Sequence, residues 1–325
     1  MGRTDKMNPL LAFWTKYQKQ IIAALIILAL FIIGEIATGH FLSIDQFFLT
    51  VKVAALVAMF GLCQMICAAS GASGLDLSVG YVATIAAIFA ARFMDGKNEN
   101  MLVGLLVALA IGLVAGAVNG FFISYLRLPA LIITLAVSNI IQGIINVYTA
   151  GAKIDGKPSP ALVTIFAKMT GVFPNILIPL AVMAIIAMII IYKTKWGQEL
   201  LAVGSNETSA YLCGINVKRV RFTAYVVSGV LASFTGVALL AYMNMAFKDM
   251  GSTYVMPSIA AVVVGGVSMA GGDGNYIGVI LGAIVLQTLT NLFYALGLGE
   301  AGKWVGIGVV LLAVLIAYVR EKKKR

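Results

Sequence analysis

Few side chains in this sequence are of the kinds that make or break bonds, and those few are scattered. The sole histidine, His40, excludes the usual imidazole-based zinc and acid–base sites and reads as a polar loop residue. Cys63, Cys67 and Cys213 form no disulfide framework. Cys63 and Cys67 share a helical face, where small apolar filler is the commoner role than a metal or redox pair. Glu35 lies inside an apolar stretch and Asp76 in a break beside one, and no carboxylate pair is present for general acid–base work. The run Gly297-Leu298-Gly299-Glu300-Ala301-Gly302-Lys303 fits all but the last position of a phosphate-binding loop. Trp304 stands where that loop needs a magnesium-binding hydroxyl, and no strand is expected before it. What remains is amides. Asn139, Gln142 and Asn146 fall at i, i+3 and i+7, and Gln287 and Asn291 at i, i+4, each set on one helix face. Amides both donate and accept, so they suit the hydroxyls of a polar solute. They suit equally a role as hydrogen-bonding glue between helices.

The elements that must carry these residues follow from composition. Of 325 residues, 61% are hydrophobic and only 11% are charged. Soluble domains carry roughly 25% charged residues, and so much apolar surface would leave far more than an ordinary exposed patch. A soluble enzyme, a disordered chain and a disulfide-rich secreted domain are excluded; the fold class is an all-α integral membrane protein. A crossing helix needs about 20 mostly apolar residues. Hydrophobic spans read at 21–38, 51–69, 79–92, 101–124, 130–148, 174–192, 222–242, 258–270, 275–298 and 304–319. About ten transmembrane helices place both termini on one side.

The net charge of +10 lies at the N-terminus, between Lys193 and Arg221, and in the tail Arg320 to Arg325. With the termini in the cytoplasm, 15 of the 23 Lys and Arg lie inside and 8 outside, the expected cytoplasmic excess. This charge therefore points to a membrane surface and not to nucleic acid. The first span has no small-residue cleavage site and reads as a retained anchor. The chain reads as one transmembrane domain over 1–325, with a cytoplasmic N-terminus at 1–20, a cytoplasmic loop at 193–221 and a basic tail at 320–325.

Two spans, 79–92 and 258–270, are too short to cross unaided, and each adjoins a Gly-rich polar break. One break contains Asp76, Ser78 and Gly80, the other Gly271, Gly272 and Gly274. Non-helical backbone at membrane depth is tolerated only where protein or a water-filled cavity satisfies it. Such segments in corresponding halves point to a transport pathway and an internal repeat. Asp76, just before the Ser78 hydroxyl, reads as a cap for the short third span. Gly112, Gly116 and Gly120 form one small-residue stripe and Gly274, Gly278 and Gly282 another, the signature of close helix packing.

The largest cytoplasmic connection, Lys193 to Arg221, contains a short amphipathic helix at about 206–214. Ser205 or Asn206 can cap it, Glu207 suits its positive end, and Gly214 ends it. Such a helix is either a surface loop or a docking knob for a cytoplasmic partner.

Four ordered motifs resemble the permease subunits of ribose-type monosaccharide ABC importers, within the larger group that includes branched-chain amino-acid permeases. The first is Gly74-Leu75-Asp76-Leu77-Ser78-Val79-Gly80. The second is Asn119-Gly120 with Leu126-Arg127-Leu128-Pro129-Ala130-Leu131-Ile132-Ile133-Thr134-Leu135. The third is Gly204-x-Asn206 with Gly214-Ile215-x-Val217. The fourth is Ala260-Ala261-Val262-Val263 with Gly265-Gly266 and Gly271-Gly272-x-Gly274. Ser209-Ala210 departs from the Ala-Ala usual in the third motif. Gln142-Gly143 stands where many relatives place Arg before glycine in the fifth span.

The resemblance implies a dimeric pore, from two copies or two related permeases, in a bacterial inner membrane. The chain itself would bind no cofactor; ATP would be used by a cytoplasmic ATP-binding subunit gripping Gly204, Asn206, Ser209, Ala210 and Gly214. An extracytoplasmic solute-binding protein would deliver a monosaccharide or related polar solute. A branched-chain amino acid or nucleoside in the same architecture is the nearest alternative. An ion-coupled secondary transporter is another, though it would usually want intramembrane carboxylates.

Overall fold

The computed structural model describes residues 9–71, 74–150, 154–306 and 308–309. Among the described residues its framework includes α1 (Pro9–Thr38), α2 (Ile44–Ala69), α3 (Val79–Met94), α4 (Met101–Ser124), α5 (Ala130–Thr149), α6 (Pro160–Phe166), α7 (Leu177–Lys193), α8 (Lys195–Ser205), α9 (Glu207–Leu212), α10 (Val217–Met243), α11 (Val255–Val264) and α12 (Tyr276–Ala295). A 3-10 turn at Ser252–Tyr254 leads into α11, and two-residue strands β1 (Met169–Thr170) and β2 (Phe173–Pro174) pair antiparallel.

The helix starts follow from short polar side chains in a consistent position. Ser43, Ser159, Thr194, Asn206, Asn216 and Asn275 each accept a hydrogen bond from the backbone N–H three residues on. Each satisfies one of the donors that a helix start leaves unpaired. Pro160 at the first position of α6 lacks a donor there in any case.

α2, α3, α10, α11 and α12 supply most of the buried core, whereas α1, α4, α5 and α7 expose long apolar faces. Those outward Leu, Ile and Val side chains suit a hydrocarbon surround. The first glycine stripe, on α4, packs against α10: a Cβ on Gly112 would strike Gly229 and Ser233, one on Gly116 the Tyr225 carbonyl, and one on Gly120 Phe222. Gly229 answers from the other side, where a Cβ would meet Gly112 and Gly116. Within the second stripe, Gly278 and Gly282 lie against Gly265 and Ala261 of the α11 end, while Gly274 meets the side chains of Ile191 and Leu201. The first stripe is one packing seam, as the spacing predicts; in the second only Gly278 and Gly282 share a seam, because Gly274 precedes α12.

Among the described residues, six helices are long and apolar enough to cross a membrane, and a seventh is reached if α7 and α8 form one span bent by 71°. The expected spans differ from these helices at several edges. The fifth and seventh expected spans fall within α5 and α10, but α10 begins at Val217, five residues early, because Asn216 caps it. The expected span 258–270 is helical to Val264 only; Gly266, Gly271 and Gly272 then take positive φ and turn the chain. The expected span 304–319 lies largely outside the described residues.

Candidate functional site

Three glycine-containing segments, distant in sequence, meet backbone to backbone. A Cβ on Gly204 would collide with the Ala69 carbonyl and lie 2.5 Å from the Gly272 nitrogen. One on Gly271 would lie 2.5 Å from the Gly204 oxygen and 2.6 Å from the Gly71 Cα, and one on Gly71 would lie 3.0 Å from the Gly204 Cα. The Gly272 N–H donates to the Ala69 carbonyl at 3.2 Å. Gly71, Gly271 and Gly272 all have positive φ, which L side chains rarely adopt. The junction thus joins the ends of α2 and α8 to the segment between α11 and α12. Gly204, expected to face a partner, is a half-buried point of close internal approach.

Just beyond Gly71 the chain runs non-helically through 74–78, and its polar groups are met by buried side chains. Gln64 of α2 brackets the Asp76 backbone, donating from Nε2 to the carbonyl at 2.8 Å and accepting from the N–H at 3.2 Å. Asp76 is buried; Oδ1 accepts from the Ser78 N–H (3.0 Å) and hydroxyl (2.5 Å), and Oδ2 from the Ser228 hydroxyl of α10 (3.1 Å). Asn119 of α4 donates to the Ser78 hydroxyl at 2.8 Å. The expected role of Asp76 as a cap for α3 is therefore corrected. Its carboxylate closes a turn on Ser78, two residues on, and ties α10 to the segment. Ser228 lies eleven residues into α10, roughly 16 Å along the axis at 1.5 Å per residue. The segment after Gly71 therefore rises well into the bundle before α3 begins. Gly80 then admits the Gly251 carbonyl, 2.7 Å from where its Cβ would stand, and the Gly251 N–H donates to Thr84 Oγ1 at 3.0 Å. The short helices α3 and α11 meet at this point.

α8 and α9 share Asn206, whose Oδ1 accepts from the Ser209 N–H at 2.9 Å. Gly214 has φ +82° and open space where a Cβ would be, so backbone conformation alone calls for glycine. The expected helix over 206–214 is thus the shorter α9, and it follows a further helix, α8, for which no expectation stood. Arg221 holds Glu207 at 2.9 Å and fastens α9 to α10. Tyr211 and Leu212 are 71% and 79% exposed and project from α9. Ser209 is exposed, whereas Ala210 is 4% exposed and packs within the chain's own core.

The two amide sets part ways. Gln287 Nε2 donates to Asn291 Oδ1 at 2.9 Å, and Asn291 Nδ2 donates to Thr50 Oγ1 of α2 at 2.8 Å. That chain ties α12 to α2, and it borders two cavities of about 200 and 350 Å³. On α5, by contrast, Asn139 and Asn146 are exposed and Gln142 half-buried, and no amide of the three is bonded to another described residue. α5 packs through Thr134, Ser138, Ile141 and Ile145 instead.

Cys63 and Cys67 are buried filler, as their spacing suggests, and Cys213 is exposed. Lys303 of the near-match phosphate loop pairs with Glu300 at 3.3 Å. Gln64 and Ser228 are site residues that sequence reasoning misses. A signal exists for Gln64, a lone amide in an apolar helical run; Ser228 is one of several hydroxyl side chains on α10 and carries no such mark.

A family model described as "Branched-chain amino acid transport system / permease component" matches residues 47–318. The chain is 32% identical over 312 residues to the ribose import permease protein RbsC of Escherichia coli (strain K12), covering 93% of this chain and 94% of that one. The Haemophilus influenzae protein of the same name is 31% identical over 315 residues, covering 94% of each chain. The fructose import permease protein FrcC of Rhizobium meliloti is 25% identical over 310 residues, covering 91% of this chain and 84% of that one. No solved structure matches. With its apolar helices, its four motifs in order and a match spanning most of its length, the chain belongs to the permease-component family of branched-chain amino acid transport systems.

Proposed function

We propose that this chain is the membrane-spanning permease subunit of an ATP-driven importer for a monosaccharide or related small polar solute. Full-length similarity to ribose and fructose import permeases carries the reading. In this reading the chain forms one domain of about ten spans, with α3 and α11 as short helices beside Gly-rich breaks. It lies in a bacterial inner membrane with both termini cytoplasmic and pairs with a second copy or a related permease. A solute-binding protein delivers the solute from outside.

α9 is the coupling element on this reading, and its exposed Tyr211 and Leu212 carry the argument. Two such side chains on a six-residue helix leave apolar surface that a cleft in a cytoplasmic ATP-binding subunit would cover. Leu212→Glu is expected to leave insertion intact, to lower co-purification of the ATP-binding subunit at least about tenfold, and to abolish stimulated hydrolysis. Gly214→Val should do the same by distorting the exit from α9. Normal co-purification by both variants would remove α9 from the interface.

The amide row of α5 supports a pathway wall. An amide facing lipid has no partner for its donors and acceptors, and Asn139, Gln142 and Asn146 find none among the described residues of their own chain. A solute, or water between two copies, would supply them. Gln142→Leu is expected to reduce uptake about tenfold with assembly and resting ATP hydrolysis unchanged. Loss of assembly at normal uptake per complex would place the row in the permease–permease contact instead.

A further inference from the structure

Two adjoining cavities, of about 780 and 270 Å³, open at the end of the bundle where α4, α9 and α10 meet, and both are bordered by Arg127, Glu207 and Arg221. Their walls hold buried polar atoms that no described protein group satisfies. The Tyr225 hydroxyl is unpaired on a side chain with 0% exposure, and it lines the smaller cavity. The Ser124 hydroxyl is unpaired at 2% exposure and lines the larger one. Arg221 spends Nη2 on Glu207 and leaves a buried Nε–H without an acceptor. Arg221 and Tyr225 are four apart on α10, so these two donors sit one turn apart on one face. Buried polar groups are nearly always paired, and unpaired ones at one place ask for a ligand or water.

The charge nearby selects the ligand's sign. Arg127, Lys218 and Arg221 line the cavities against one carboxylate, Glu207, which Arg221 already engages. Arg127 holds φ +56°, exposed, with no ion pair to a described residue. Donors plus unneutralised cations fit an oxyanion, and guanidinium suits phosphate in particular. Beside this mouth, Phe121, Tyr125, Leu126 and Leu128 are 37% or more exposed, an apolar border that a free ion would not use but acyl chains would cover.

We infer that this mouth binds the phosphate headgroup of an anionic phospholipid of the cytoplasmic leaflet, with Arg127 and Lys218 outside and Arg221, Tyr225 and Ser124 within. The assignment of the leaflet rests on the orientation proposed above; the phosphate chemistry does not. Anionic lipids and juxtamembrane basic residues attract each other on that side of a membrane. A lipid bridging the α4–α5 turn and α10 would brace the base on which α9 is mounted.

The test uses the purified full-length chain, depleted of lipid in detergent, with dioleoylphosphatidylglycerol or dioleoylphosphatidylcholine added and retained lipid counted by native mass spectrometry. Phosphatidylglycerol should be retained in preference. Arg127→Gln and Lys218→Gln should each lower its retention about fivefold, while Lys157→Gln at the opposite end leaves it unchanged. Tyr225→Phe should abolish the thermal stabilisation that phosphatidylglycerol confers while leaving the lipid-free chain at least as stable as wild type, because the lost hydroxyl has no partner among the described residues. Equal retention of both lipids, or unchanged retention in both charge variants, would overturn the assignment. Displacement of the lipid by millimolar inorganic phosphate would also overturn it, in favour of a free anion. If the charge variants lose the ATP-binding subunit while keeping phosphatidylglycerol, the mouth belongs to the protein partner and the lipid assignment falls. The permease reading itself stands or falls on uptake and co-purification, which the lipid count does not measure.

Discussion

Gly204→Val is expected to abolish uptake and to cut the yield of folded chain several-fold. The added Cβ would occupy the position of the Ala69 carbonyl and crowd the Gly272 nitrogen, and both obstacles are backbone. Overpacking among side chains typically costs about 1–3 kcal/mol because rotamers give way. Here the carbonyl of α2 and the turn at Gly271 and Gly272 must move instead. Moving them breaks the Gly272 N–H to Ala69 carbonyl bond. A protein with about 5–15 kcal/mol of total stability tolerates little of that. The measurement is fluorescence-detected size exclusion for yield, with solute uptake by the assembled importer. Gly143→Ala, at a helical glycine with open space around it, is the control and should leave yield unchanged. Wild-type yield and uptake for Gly204→Val would show that the three segments separate freely.

The second large effect is expected at Asp76. In Asp76→Ala the hydroxyls of Ser78 and Ser228 and the Ser78 N–H lose their acceptor inside the bundle. Each buried group left unsatisfied costs about 1–3 kcal/mol, so a total loss of about 3–9 kcal/mol is expected for the three. Asp76→Asn keeps one carbonyl to accept from Ser78, and its amide can donate to a turned Ser228 hydroxyl. Its loss should be near 1 kcal/mol. Buried Cys63 and Cys67 provide the readout, since a thiol-reactive dye reports their exposure on heating. The exposed Cys213 is first changed to Ser to remove its background. The order wild type, Asn, Ala in falling midpoint is expected. An alanine variant as stable as wild type would show that Asp76 is dispensable to the fold.

The sequence made the helical membrane class legible through residue counting alone, because few charges and long apolar runs are incompatible with water on all sides. It also marked the breaks. Ser, Asn and Gly at helix ends act through bonds to residues three or four away, so Asn206 and Gly214 frame α9 by local chemistry alone. Spacing within one helix showed the stripe Gly112, Gly116 and Gly120, since residues at i and i+4 share a face whatever lies opposite. The edges of the short spans were less legible, because apolar Val267, Met269 and Ala270 continue past Gly266, where positive φ has already turned the chain out of the helix.

What sequence could not decide was which surfaces face one another. The two amide rows look alike as text, yet Gln287 and Asn291 reach Thr50 of α2, while Asn139, Gln142 and Asn146 reach no described partner. Ala210 and Gly204 read as surface positions in a loop, yet one packs into the core and the other admits two backbones. Asp76 read as a local cap, but its second oxygen is held by Ser228, 152 residues away. Local hydrogen bonds and periodicity depend on neighbours in the chain and so are written in it. Burial and partner choice depend on pairings across a hundred residues or more, which only the packed bundle settles.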